Sequence, residues 1–226
     1  MTSVGVVASG VNISAGTTVT SFSTKFGTAI GATPLTNTLP SPAGVTPGDL
    51  LIGFVTLDST SFVANYSASW TKIVSAGIPM WVVARIADGS ANDTLKIDGT
   101  NFAPAEDYCA TIVRVTGHSV SNVTTIPLTS LTGTSTSPDT GGIGIGPAGR
   151  LFLLAAYCDR NALETVTGRP ANYTDVATLV SSANSGSSVT MSVAQRSNVQ
   201  SAAEDPSPFT LSASAPWGCV CIAVPP

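Results

Sequence analysis

Apolar positions in this chain fall in short, nearly unbroken runs, each closed by turn residues. The clearest is Gly48-Asp-Leu-Leu-Ile-Gly-Phe-Val-Thr-Leu-Asp58, and the same grammar returns in Gly149-Arg-Leu-Phe-Leu-Leu-Ala-Ala-Tyr-Cys-Asp159. A run this short, apolar throughout and bounded by Gly and Asp, reads as a strand covered on both faces inside a sandwich or barrel. The pattern continues through Ser69-Trp-Thr-Lys-Ile-Val74, Pro79-Met-Trp-Val-Val-Ala-Arg-Ile-Ala87, Asp93-Thr-Leu-Lys-Ile97 and Tyr108-Cys-Ala-Thr-Ile-Val-Arg-Val115. Turn clusters such as Asp88 to Asp93 and Asp98 to Asn101 separate these runs. No segment sustains a period of 3.6 residues, so the pattern predicts an all-β protein.

The second half repeats the first in the same order. Leu151–Tyr157 answers Leu50–Thr56, and Ala171–Ala177 answers Ala68–Val74. Val189–Arg196 answers the stretch around Trp81–Arg85, Phe209–Ser212 answers Thr94–Ile97, and Trp217–Val224 answers Tyr108–Val115. The offset grows from about 101 residues at the first match to about 109 at the last, as loop insertions would produce. A period this long excludes a solenoid and points to a duplicated half-sandwich. Either the halves share one sandwich or each is a small sandwich alone. The first is favoured, because five strands with few aromatic residues give a thin core. The expectation is a single antiparallel, jelly-roll-like β-sandwich over residues 48–226. It is made of half-repeats 48–117 and 149–226 joined by a Ser/Thr/Gly-rich linker. Residues 1–47 are expected to be an N-terminal extended arm with one or two strands, then a connection broken by Pro34, Pro40, Pro42 and Pro47.

Composition narrows the function classes. Of 226 residues, 43% are apolar and only 10% charged, which excludes disorder. Hydroxyl-rich strands can keep such a β surface wet without many charges. Nine Lys and Arg residues, scattered along a chain of net charge −4, form no basic patch, so nucleic acid is not expected as a partner. The first residues lack the charged start and apolar core of a signal peptide, and no run reaches the 18 apolar residues of a membrane span, so no membrane partner is expected either.

Residues capable of chemistry are sparse. Cys109, Cys158, Cys219 and Cys221 lie in apolar, strand-like contexts and read as buried free thiols, because no zinc-type spacing accompanies them. Gly144-Ile-Gly-Pro-Ala-Gly149 matches the letters of a dinucleotide fingerprint, but it precedes a strand and carries Pro147, so it reads as a glycine-rich linker. His118, the sole histidine, sits in a turn with no nucleophile elbow to serve. The carboxylates Asp49, Asp58, Asp88, Asp98, Glu106, Asp107, Asp159, Glu164, Asp175, Glu204 and Asp205 could supply a glycosidase pair, yet nearly all occupy turn-like places. Tyr66, Trp70, Trp81, Tyr173 and Trp217 could form a sugar-stacking platform. Against that, Trp70 answers Tyr173 and Tyr108 answers Trp217, as repeated core packing would give. No catalytic, cofactor-binding or metal-ligating residue is assigned, and no enzymatic activity or cofactor is expected.

Pro47-Gly-Asp-Leu-Leu-Ile-Gly-Phe-Val, Ser69-Trp-Thr and Met80-Trp-Val-Val-Ala-Arg-Ile-Ala-Asp88, with the hydroxyl-rich second half, resemble β-sandwich virion structural proteins of tailed bacteriophages. The likeness spans roughly residues 45–225, and Ser69 stands where those proteins usually have Gly before the Trp. The resemblance implies a structural role on the particle, with no catalytic residues to carry over. The expected role is a capsid decoration or cement protein on the outer surface of the head. Expected partners are the major capsid protein or other virion proteins, and a homo-oligomer. Its place would be the virion, assembled in the host cytoplasm. The alternative is a tail or head-fibre adhesin whose partner is a surface glycan.

Overall fold

The computed structural model describes residues 8–9, 17–29, 37–57, 64–66, 68–74, 80–99, 106–144, 149–160, 164–181, 188–199 and 203–226. The first half supplies β1 (Ala8–Ser9), β2 (Thr18–Ala29), β3 (Asn37–Leu39), β4 (Leu50–Leu57), β5 (Ala64–Tyr66), β6 (Thr71–Lys72), β7 (Met80–Ile86), β8 (Leu95–Gly99) and β9 (Glu106–Thr116). The second supplies β10 (Leu128–Ser135), β11 (Ile143–Gly144), β12 (Arg150–Arg160), β13 (Val166–Gly168), β14 (Thr174–Val180), β15 (Ser188–Val199), β16 (Ala203–Glu204), β17 (Thr210–Leu211) and β18 (Ala215–Val224). Helical structure among the described residues is confined to two short 3-10 turns, Ala91–Asp93 and Val123–Thr125.

Each half builds its own large antiparallel sheet. The first runs β1-β2-β9-β4-β7-β6 and the second β10-β18-β12-β15-β14, so apart from β1 the two orders correspond strand for strand. The small strands form separate layers, β3-β8-β5 in the first half, β13-β17 and β11-β16 in the second. Apart from the neighbours β1–β2, β6–β7 and β14–β15, each pair of which stays in one large sheet, the chain in each half shuttles between large sheet and small layer, the winding of a jelly roll. The all-β sandwich expected from the pattern is present, and the jelly-roll winding lies within each half rather than across both.

Register confirms the correspondence residue by residue. Leu50 pairs with Val115 and Leu151 with Val224, while Leu51 faces Arg85 and Phe152 faces Arg196. Gly48 and Gly149 enter their central strands with φ of 94° and 88°, the left-handed region where a Cβ is penalised. Each donates its N–H back to the neighbouring strand, Gly48 to Ala87 O and Gly149 to Val199 O.

The doubly buried strands explain the unbroken apolar runs. Alternate residues of a strand point to opposite faces. Leu50, Ile52 and Phe54 enter a core shared with Leu151, Leu153, Ala155, Met191 and Ile222 of the other half. Leu51, Val55 and Leu57 point outward onto Trp70, Trp81, Leu95 and Ile97 beneath the small layer of the first half. Phe152, Leu154 and Ala156 do the same beside Tyr173, Phe209 and Trp217 in the second. Each large side chain so buried contributes roughly 1.5–3 kcal/mol. The thin core expected of an isolated half is thus remedied twice, by an outer core within each half and by a central core between them. Gly53 fits the crowding, since a Cβ there would stand 2.9 Å from Leu95 Cδ2 and 3.0 Å from Val83 Cγ2.

Two boundaries differ from expectation. Residues 18–29, assigned to the N-terminal arm and its connection, form β2 and pair with β9 from Thr18–Thr116 to Ala29–Glu106. Residues 128–135, assigned to the linker, form β10 and pair with β18 without a break. They are equivalent strands, since Phe22 faces Val113 as Leu128 faces Ile222. The repeat therefore starts one strand earlier in each half than the apolar runs indicate.

Candidate interaction surface

The described aromatic residues singled out for chemistry are committed to holding the fold. Trp70, Trp81, Tyr173 and Trp217 are each at most 8% exposed and lie in the two outer cores. No face is left for a sugar ring, which removes the stacking platform at these four; the Tyr66 side chain lies outside the described residues. Trp70 Nε1 donates to Thr94 O at 3.0 Å, and Trp217 Nε1 donates to Ser135 Oγ at 3.0 Å. Glycine opposes the second ring and its counterpart alike: Gly27 faces Tyr108 and Gly133 faces Trp217. A Cβ on Gly133 would stand 2.5 Å from Trp217 Cζ2, so the indole lies directly over the glycine backbone.

His118 Nδ1 accepts the Val120 N–H at 3.1 Å, and burial holds its pKa below the usual value. That geometry fixes a turn. Of the fingerprint-like stretch, Gly144 ends β11 and Gly149 makes the turn into β12, while residues 145–148 lie outside the described residues. All four cysteines are buried thiols. Burial raises the Cys219 thiol well above its ordinary range and pushes Cys221 up to about 12.

Among the carboxylates, Asp49 accepts from Arg114 Nε at 2.8 Å and from the Thr46 N–H at 2.7 Å, and Asp175 meets Arg169 at 2.5 Å. Asp107 accepts from the Ser181 hydroxyl at 3.0 Å, a buried bond between the halves. Asp88 is held at about 2 by hydrogen bonds from the Ser90 hydroxyl and N–H, with the Arg85 guanidinium beside it. Asp58 and the side chains of Asp98, Glu106 and Asp159 lie outside the described residues.

One charged constellation was missed by the sequence reading and occurs in both halves. Arg85 lies 3.1 Å from Asp93 and also reaches the exposed Asp88 at 3.0 Å, with its Nη1 on Asn92 O. Arg196, the equivalent residue, meets Glu204 at 2.6 Å, and the Tyr173 hydroxyl donates to the same oxygen at 3.0 Å. In each half an arginine precedes its acid by eight residues, a spacing readable from the sequence. Each pair ties β7 or β15 to an acid eight residues further along the chain and sits beside the equivalent aromatic, Trp70 or Tyr173. The Arg85–Asp93 side chains are 6% and 2% exposed, whereas Arg196 is 36% exposed.

With faces sealed, the sheet edges are the surfaces that differ. The two large sheets stack in reversed lateral order: β14 contacts β2 and β9, β15 contacts β9 and β4, and the turn before β10 contacts β6 and β7. The equivalent edges β2 and β10 therefore lie at opposite ends of the sandwich. An open edge invites strand addition, and proteins block it with charges, bulges, short strands or a covering segment. β2 has a register shift between Val19 and Ser21, carries Lys25, and is flanked by β1. β6 is two residues long and includes Lys72. β14 has a register shift between Asp175 and Ala177. β10, Leu-Thr-Ser-Leu-Thr-Gly-Thr-Ser, has eight regular pairs to β18, no charge and no proline, and among the described residues no strand on its other side.

Leu131 on β10 is 45% exposed. It takes the place of Lys25 on β2, since Lys25 faces Ala110 and Leu131 faces the equivalent Cys219. Comparison with family models, curated proteins and solved structures found no match to this chain.

Proposed function

We propose that this chain is a structural protein of a tailed-bacteriophage virion, a capsid decoration (cement) protein that binds and stabilises the outer surface of the head. The observation that carries the reading is the pairing of two jelly rolls through their large sheets, with Trp70, Trp81, Tyr173 and Trp217 and the Arg85–Asp93 and Arg196–Glu204 pairs committed to internal packing. Such a body is a rigid block whose work is contact. Jelly rolls recur in viral shells, and the Gly48-Asp-Leu-Leu and Trp-strand motifs point to the same class by resemblance. The body sits on the head by its rims and edges, because β2, which falls within the N-terminal extended arm, is hydrogen-bonded into the first sheet.

The test is co-sedimentation of the purified full chain with expanded empty heads. Saturable binding that raises the temperature at which heads rupture is the expected result. Absence of binding, with antibody label found on the tail, would overturn it. A glycan-array signal in place of head binding would assign the chain to the fibre-adhesin class instead.

A further inference from the structure

We propose that β10 is a self-association edge, pairing antiparallel with β10 of a second copy about a twofold axis and joining two five-stranded sheets into one of ten. The equivalent strand in the first half shows what such an edge accepts, because β1 lies antiparallel on β2, with Ala8 opposite Phe22 and Ser9 opposite Ser21. In the second half that position is empty among the described residues, and the sheet stops one strand short.

A second copy is the occupant the strand itself selects. An antiparallel pair about a twofold through Leu131 sets that residue against its own counterpart and each residue before it against one after it, so it is allowed when no like charges meet. β10 has no charged residue and no register shift, and its exposed Leu131 lies near its centre, where it meets its own counterpart. The Leu131 pair comes out of water alongside main-chain hydrogen bonds along the strand. At the equivalent place on β2, Lys25 would bring two ammonium groups together. Gly133 leaves the edge flat, since the Trp217 indole lies over its backbone. Self-pairing requires no virion partner, so it stands or falls separately from head binding.

The experiment is sedimentation velocity on the full chain, Leu131→Lys and Leu131→Cys, with thermal melts alongside. The wild-type chain is expected to sediment as a dimer. Leu131→Lys, a change at a half-exposed site, should melt as wild type yet dissociate at least about tenfold more readily. Leu131→Cys should form an intermolecular disulfide under mild oxidation, while Lys25→Cys on the equivalent strand should not. A wild-type monomer, or a dimer that survives Leu131→Lys and gives no cross-link at residue 131, overturns the proposal. So does a monomer whose head binding is lost in Leu131→Lys, which would give the edge to a shell protein. If Leu131→Lys melts early, the cross-linking of Leu131→Cys against Lys25→Cys decides alone.

Discussion

Lys25 and Leu131 occupy one position in two copies of one jelly roll, and the molecule treats them in opposite ways. Lys25 lies on a strand with a bulge and a flanking segment, its ammonium donating to Thr38 O at 3.3 Å. Leu131 lies on a regular, uncharged strand at the other end of the sandwich and is exposed. The two halves keep what the fold needs, which is strand order, register, entry glycines and clamping ion pairs. They diverge where strand addition is either blocked or left open. Two halves of matching strand order give a body with two kinds of edge, and the difference is written in a few residues.

The comparison breaks most visibly at the ion pairs. Removing Asp93 takes away the buried acid and the acceptor of the Gly89 N–H and leaves Arg85 only the exposed Asp88, so Asp93→Ala should cost about 3 kcal/mol. Glu204→Ala should cost less, roughly 1–2 kcal/mol, because Arg196 turns to solvent and chiefly the Tyr173 hydrogen bond is lost. Urea unfolding of the two variants measures this, and equal losses would contradict the difference in burial.

The next effect appears on the alkaline side. Burial raises Cys221 and Tyr108 to about 12 from ordinary values of 9.0 and 10.0, with Cys109 adding to the shift of Tyr108. Folded-state values above unfolded ones mean that stability is complete below about pH 9 and falls as pH climbs towards 12, where the unfolded chain sheds protons first. The urea midpoint should hold steady to about pH 9 and then decline. The thiols should stay unreactive to a disulfide reagent at pH 8 until the protein unfolds.

Smaller, and a sharper test of equivalence, is the pair Gly48→Ala and Gly149→Ala. Both positions have left-handed φ, so each should lose about 1–2 kcal/mol, and a twofold disparity between the two melts would argue against matched turns. The smallest effect is expected at His118. Its pKa is depressed by burial, so its contribution is present above the ordinary value of 6.5 and lost as pH falls through that region into the depressed range. His118→Gln should flatten that acid limb of the stability profile.

Much of this was legible in the chain. The runs from Gly48 and Gly149 become β4 and β12, each flanked on both sides within its large sheet, and their matched offsets reproduce the observed pairing of Leu50 with Val115 and Leu151 with Val224. Unbroken apolar runs are readable because both faces are covered. A strand was expected in the N-terminal arm, but the full extent of β2 and the whole of β10 were hidden for the converse reason: edge strands need apolar residues on few positions, and Thr, Ser and Gly in a β-pairing edge look the same as in a linker. The Arg85–Asp93 and Arg196–Glu204 clamps lay in plain sequence at matched spacing. They were passed over because acids next to glycine and serine usually mark solvent-exposed turns. The aromatic positions were correctly paired between halves, but which side of each sheet they would fill depends on the small layers, whose strands of two or three residues leave almost no pattern.

The contrast between the two edges is tested most directly by amide hydrogen exchange on the full chain at low and high protein concentration, comparing residues 128–135 with residues 18–29. Alternate amides of β10 should exchange quickly in dilute solution and slow markedly as concentration rises, while protection along β2 stays the same. Protection of β10 that is already complete in dilute solution, or a concentration response confined to β2, would contradict an open edge at Leu131.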